Sequence, residues 1–394
     1  MTGNKPPQYA KSEIHTAFGV PGHPGYMRAM SAESPSTSAA PAGGFLAELR
    51  DAVSFRAFGL VLGGLLIQLA FTVSYLGAFH SPTPHRIPVA VVAPGEASVQ
   101  IVAKLNGLDG DPVKATAVAG ESAARERIMD RRADAAFLFN ATGTKDTLLV
   151  ASAGGPSVSQ TASQLAQRIE AGQKRQVVVT DIRAPNSGDG RGMTSFYLVL
   201  GWVVGGYLTA TIMNMSAGSR PANRHRITIR LAVLGLYAIV SGVAGAVIVG
   251  PVFDALSGHF WALTGIGTLV VFASAATSLA LQTLLGMLGT GVTILLFVVL
   301  GNPSSGGVYP SVLLPGFWSA IGQALPPGAG TTLVRNTVYF GAHATSIAWS
   351  VLAAYAVGGA AVALVAAWWR ERRKAAAVGA VGSDGSGPDP APAG

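Results

Sequence analysis

Six apolar runs set the limits on what this chain can fold into. They fall at 58–79, 196–215, 230–250, 261–282, 284–300 and 347–369. Each approaches the roughly 20 residues that an α-helix needs to cross a hydrocarbon core. No water reaches backbone groups in lipid, so runs of this length read as helices that satisfy their own hydrogen bonds. Composition agrees: 49% of the 394 residues are hydrophobic and 12% are charged, against about 25% charged in a soluble domain. The fourth and fifth runs are close enough to form a tight hairpin around "LQTLLGMLG". The first run is too long for a signal-peptide core and lies too far from residue 1, so it is expected to be an uncleaved anchor.

Residues 80–194 read differently, because charges of both signs return. "RIPVAVVAP", "KATAVAG", "DAAFLFN", "DTLLVASAG" and "RQVVVTDIRAP" have the short apolar character of strands. "ASVQIVAKLNGL", "ESAARERIMDRRA" and "SVSQTASQLAQRIEAG" read as helices, the second with Ile128 and Met129 inward. Such alternation predicts a compact α/β domain. Turn-rich "HSPTPH" and "NSGDGRG" bound it and read as linkers.

Residues 1–43 are rich in Pro, Ser, Ala and Gly without a hydrophobic period and are expected to be a disordered cytoplasmic tail, as is 370–394. Within 44–79, Phe45, Leu49 and Val53 recur at helical spacing ahead of the first run. They predict either an interfacial amphipathic helix or an extension of the first span. Orientation follows from basic residues, which favour cytoplasmic loops. Arg220, Arg224, Arg226 and Arg230 sit between the second and third runs without an acid, and "RERRK" follows the last. The expected topology has both termini and these loops cytoplasmic. The α/β domain and 301–346 then lie outside, and 195–369 is a five-span membrane domain. The net charge of +8 is thereby assigned to membrane orientation and not to nucleic-acid binding.

The segment 301–346 is unusual. "GNPSSGG", with Asn302 and Pro303, breaks the fifth run at Gly301. "PSVLLPGFWSAIGQAL" and "TTLVRNTVYF" are apolar but too short to cross, and they are separated by Pro326, Pro327 and Gly328. They predict either a re-entrant hairpin or an apolar outer loop packed on the α/β domain. Arg335 is the one full charge in the segment. It is either a snorkelling anchor or, with Asn336, a clasp on the backbone around "GNPSSGG" that closes an outer gate.

No cysteine is present, which excludes disulfides and thiol chemistry. No G-x-x-x-x-G-K-[ST] phosphate loop and no G-x-S-x-G elbow occurs, and no histidine pair sits at ligand spacing with a carboxylate, as a metal site would require. No catalytic residue, metal site or cofactor is therefore expected in this chain. The apolar runs lack carboxylates at their centres, where Gln68 and Gln282 are the most polar large side chains. That disfavours an ion-coupled carrier. Gly201 and Gly205 form a G-x-x-x-G pattern that serves either a subunit contact or packing between two spans of one chain.

The order of parts, together with "VVTDIRAPNSGDGRGMTSFYLVLGWVVGGYL" and "GNPSSGGVYPSVLLPGFWSAIGQALPPGAGTTLVRNTVYF", resembles the type-2 ABC (ABC-2) exporter permeases, YhgE/Pip-like branch, of the bacterial cell membrane. The resemblance implies a polytopic α-helical membrane protein with an extracytoplasmic α/β domain between its first and second spans. It implies a homodimer or heterodimer in the lipid bilayer that moves an apolar or amphipathic cargo outward. Loop 216–229, with Arg220, Arg224 and Arg226, would be the coupling element toward a separate ABC-type ATPase subunit, which would carry the ATP. The competing reading is a non-transport receptor, scaffold or secretion accessory acting through the α/β domain.

Overall fold

The computed structural model describes residues 55–216 and 223–383. The tail expected over 1–43, the amphipathic stretch up to residue 54, Arg220 and residues 384–394 lie outside the described residues. Gly59–Gly394 clusters as one unit, separate from Met1–Phe58.

The α/β region follows the sequence pattern element by element. It comprises β1 (Ile87–Val92), α2 (Gly95–Asn106), β2 (Val113–Ala117), α3 (Glu121–Met129), β3 (Ala135–Leu138), β4 (Lys145–Val150), α4 (Pro156–Gly172) and β5 (Gln176–Asp181). The five-stranded sheet has the order β2-β1-β3-β4-β5. β3 and β4 pair antiparallel, and the other neighbours pair parallel. Parallel pairs need a long crossover, which α2, α3 and α4 supply. Side chains alternate across the sheet. Ile87, Val89, Val113, Phe137 and Leu148 face Val158 and Ala162 of α4. On the opposite face Ala90, Ala136 and Leu149 join Ile128 of α3 in a core that continues into the membrane-length helices through Leu333, Val338 and Phe340.

Among the described residues, six helices are long and apolar enough to cross a membrane: Ala57–Phe79, Thr194–Ser216, Arg224–Val252, Phe260–Leu285, Met287–Ser304 and Ser346–Arg373. They belong to α1 (Phe55–Phe79), α5 (Thr194–Ser216), α6 (Arg224–Val247), α7 (Phe260–Leu285), α8 (Met287–Ile294) and α12 (Ser346–Ser383). α7 is central and packs on α5, α6, α8 and α12. Small residues permit this. A Cβ on Gly206 of α5 would stand 2.6 Å from Val271 O, one on Gly242 of α6 2.6 Å from Thr264 O, and one on Gly359 of α12 2.6 Å from Thr277 N. Close backbone approach through small residues is how helices associate in lipid.

Between α8 and α12 lie α9 (Gly301–Ser304), α10 (Gly316–Gly322) and α11 (Pro326–Tyr339). Here the structure departs from the sequence reading. The fifth span does not end at Gly301. A π-helical segment, Leu295–Leu300, carries α8 into α9, and the turn falls after Ser304. Pro303 cannot donate the helical bond to Val299 O, and Ser74 Oγ of α1 donates to that carbonyl instead. The Pro-Pro-Gly sequence is not a break between two pieces. Pro326 and Pro327 occupy the first turn of α11, where the missing N–H is harmless and the fixed φ favours the helix.

Three other boundaries move. α6 begins inside the expected coupling loop, at Arg224, because Asn223 Oδ1 caps it by accepting from Arg226 N at 2.9 Å. α12 passes residue 369 and runs to Ser383, since "RERRKAAA" consists of strong helix formers. "NSGDGRG" is more than a solvated linker: Ser187, Gly188, Gly190 and Arg191 are exposed, but Ser187–Asp189 form a 3-10 turn and Asp189 is buried.

Candidate functional site

α11 is almost wholly enclosed. All its residues except Thr332 and Thr337 are buried. It packs on α5, α7, α10 and α12 and on the 3-10 turn Ser152–Gly154 of the α/β region. Its start is held by backbone contact, because a Cβ on Gly328 would overlap Gly322 O and one on Gly322 would overlap Ser304 O. Its C-terminal half carries the polar groups.

Arg335 is 6% exposed. Its Nη1 donates to Gly306 O at 3.0 Å and its Nη2 is 3.5 Å from Gly307 O. The guanidinium fork thus spans two consecutive carbonyls of "GNPSSGG", a geometry that a lysine ammonium does not reproduce. The same turn is braced from inside and from behind. Ser305 Oγ donates to Asn302 O at 2.7 Å and accepts from Gly307 N at 3.2 Å. The Phe196 ring of α5 leaves no room for a side chain on Gly307, and Gly306 has φ +76°, where glycine is preferred. Ser157 Oγ of α4 donates to Val308 O at 2.9 Å, which ties the α/β region to the same turn. Arg335 Nε has no hydrogen-bond partner among the described residues.

Asn336 does not bond that turn. Its Nδ2 donates to His343 O at 3.0 Å and lies 3.5 Å from Ala344 O, which closes the far end of α11. That end is strained, since Ala342 and Ala344 have φ of 62° and 52°. Asn302 and Pro303 are buried in α9, just before the turn. Gly205 meets Tyr237 Oη of α6, at 2.8 Å from where a Cβ would stand, whereas Gly201 has nothing within 4 Å. Gly205 therefore packs within the chain, and Gly201 borders an open groove between α5 and α6.

One turn beyond Arg335 the α/β region grips α11. Tyr339 Oη donates to Asp189 Oδ2 at 2.7 Å. The other oxygen of Asp189 accepts from Thr194 N at 2.9 Å and Thr194 Oγ1 at 2.6 Å, capping α5. Arg183 Nε donates to Tyr339 O at 2.8 Å. Arg131 lies over the Phe340 ring at 4.6 Å and pairs with Asp134 at 3.1 Å. Sequence reading missed Asp189, Arg183, Arg131 and Tyr339. Tyr339 was within reach, because it follows Arg335 by one helical turn and so shares its face. The others come from distant positions that only tertiary structure brings together. The whole is a clasp: one short buried helix, held at one face to the turn that ends α9 and at its tip to the α/β region.

The opposite end of the bundle is basic. Arg224 donates through N and Nε to Glu371, at 2.7 and 2.9 Å, joining α6 to α12. Arg370 Nη2 donates to Leu284 O at 3.2 Å at the end of α7, where a cation suits the exposed carbonyls. Arg372 and Arg373 stack on Trp368 and Trp369 at 4.0 and 3.9 Å, a pairing suited to the boundary between lipid and water. Of the expected coupling residues, the structure places Arg224 and Arg226 together in the first turn of α6.

Comparison with known protein families, with curated proteins and with solved structures returned no match.

Proposed function

We propose that the chain is the permease subunit of an ABC-2 type exporter, of the YhgE/Pip-like kind, in a bacterial cell membrane. In this reading the basic end faces the cytoplasm, the α/β domain stands outside, and two such subunits, alike or different, enclose the path of an apolar or amphipathic cargo. ATP is hydrolysed on a separate ATPase subunit, and this chain does no chemistry of its own. The observation that carries the reading is the α9–α10–α11 reversal. A polypeptide that turns back at the end of one spanning-length helix is locked to the α/β region at that end, while the arginines of α6 and α12 gather at the other. The positive-inside tendency supports the orientation.

The test is co-purification. The full chain, extracted gently from its native membrane, is expected to retain an ABC-type ATPase, and Arg226→Glu is expected to lose it while the chain still inserts. Arg226 is the better position for charge reversal, because reversing Arg224 would also set it against Glu371. An intact complex with Arg226→Glu would remove the coupling role, and absence of an ATPase from the unaltered chain would remove the exporter reading.

A further inference from the structure

The turn between α6 and α7 holds a recess that neither the clasp nor the proposed transport uses. It is open, has a volume of about 720 Å³, and lies at the α/β end of the bundle. The segment around it is firmly held. α6 ends in a π-helical turn, Ile248–Val252, that contains Pro251, and such turns are frequent at functional sites. Ala255 N and Leu256 N both donate to Val249 O, at 2.9 and 2.8 Å, and Asp254 N donates to Gly250 O at 2.7 Å. From the α/β side, Asn186 Nδ2 donates to Ala255 O at 3.1 Å. Gly188 lies so close that a Cβ on it would stand 2.6 Å from the carbonyl oxygens of Phe253 and Asp254.

Asp254, Ser257, His259, Phe260 and Trp261 line the recess. Asp254 is the only aspartate or glutamate from residue 190 to residue 370. It is exposed, and its carboxylate makes no hydrogen bond or ion pair among the described residues. His259 Nδ1 stands 3.2 Å from Ser257 O. A carbonyl only accepts, so Nδ1 carries the proton and Nε2 of the neutral ring is an acceptor. The Phe260 and Trp261 rings meet edge to face, 5.1 Å apart. A carboxylate, a ring nitrogen lone pair and aromatic rings all favour a cation. The depth of the recess points to the source of that cation. Phe253 is 67% and Trp261 80% exposed at the ends of two membrane-length helices, where aromatic side chains sit at the level of lipid headgroups. Val247, Ile248 and Val252 of the α6 span are exposed beside them, as a surface that meets acyl chains would be.

We propose that the recess binds the headgroup of an ethanolamine phospholipid from the leaflet on the α/β side. The primary ammonium is taken by the Asp254 carboxylate and His259 Nε2, the phosphate is offered the Trp261 indole N–H, and the tails run along the apolar face of α6. A primary ammonium brings three N–H donors to these acceptors, whereas a trimethylammonium brings none. Choline lipids are therefore held less well, and glycerol lipids lack the cation altogether. The inference goes beyond the exporter reading, and it stands whether or not an ATPase binds the chain.

The experiment places the full chain in phosphatidylglycerol nanodiscs with a trace of phosphatidylethanolamine that carries a photoreactive diazirine in one acyl chain. Crosslinked peptides are read by mass spectrometry, and crosslinks to the bare face of α1 serve as the reference for general lipid contact. Crosslinking is expected to concentrate in 247–262, and unlabelled phosphatidylethanolamine should displace it about tenfold more effectively than phosphatidylcholine, as one hydrogen-bonded ion pair would give. Asp254→Asn is expected to lower the 247–262 crosslink about tenfold while α1 is unchanged. Asp254 has φ 49°, a conformation that asparagine also tolerates, so the variant keeps the turn. An excess of free phosphoethanolamine should leave the crosslink in place. Equal displacement by phosphatidylcholine, or an unchanged crosslink in Asp254→Asn, would overturn the assignment and leave Asp254 a solvated turn residue. Displacement by free phosphoethanolamine would overturn it in favour of a soluble amine.

Discussion

α1 and α11 invert what their compositions suggest. α1 is long and rich in leucine, yet most of its surface is bare: Leu66 is 58% exposed and Val73 71%. It touches the rest of the chain along a thin line, through Ser74 to Val299, Gly77 to Trp318 and Phe79 to Tyr309. α11 is about half as long and carries Thr331, Thr332, Arg335 and Asn336, yet it is almost wholly enclosed. Apolarity therefore records which solvent a helix meets, lipid in the case of α1, and not how much protein surrounds it. Enclosure by protein is recorded instead by glycines that admit other backbones and by polar side chains that reach carbonyls or acids, as Arg335, Asn336 and Tyr339 do. In lipid, an exposed Leu has nothing to gain from burial, whereas an enclosed arginine or tyrosine must be satisfied in place.

The largest effect should come from forcing the α11 entry apart. Gly328→Val places a branched side chain against Gly322 O and is expected to cost about 3 kcal/mol or more, read as loss of folded monodisperse protein after extraction. A smaller loss is expected from Tyr339→Phe. It keeps the ring and deletes the bond to Asp189, at about 2 kcal/mol for a hydrogen bond to a charged group. The smallest effect should come from α1. Leu66→Ala on the bare face should stay within about 0.5 kcal/mol in a thermal-unfolding assay. If Leu66→Ala proved as damaging as Tyr339→Phe, α1 would have a protein neighbour on that face and the contrast between the helices would fail.

Much of this architecture could be read from residues alone. The eight elements of the α/β region announced themselves through strand and helix periods bounded by turn signals, and the six long runs through length and composition. What escaped were the places where a local breaker is overridden by tertiary partners. Pro303 does not end its helix, because Ser74 supplies a donor to the carbonyl that the proline deprives. Pro326 and Pro327 start a helix because the chain enters it there. Asp189 looked like part of a linker because nothing in "NSGDGRG" reveals Tyr339 on the other side. Arg335 was conspicuous as the lone charge in its segment, and its bonds to Gly306 and Gly307 lie within the stretch expected for a clasp. Asn336 turned out to serve the other end of α11.

α11 is tied to the turn after α9 through Arg335, at Gly306 O and Gly307 O. The chain has no cysteine, so one introduced residue reports on that turn alone. Ser304→Cys suits the purpose: Ser304 is buried, and its hydroxyl bonds only back into its own helix, to Leu300 O at 2.7 Å and Gly301 O at 3.3 Å. The measurement is the rate at which a hydrophilic maleimide labels this cysteine in the purified full chain, with and without Arg335→Lys. Lysine keeps the charge and loses the fork. The account predicts slow labelling in the parent and at least tenfold faster labelling with Arg335→Lys, equivalent to about 1.4 kcal/mol in the opening equilibrium. Equal rates in the two proteins, with both folded, would contradict it and leave Arg335 as an anchor without a hold on the turn.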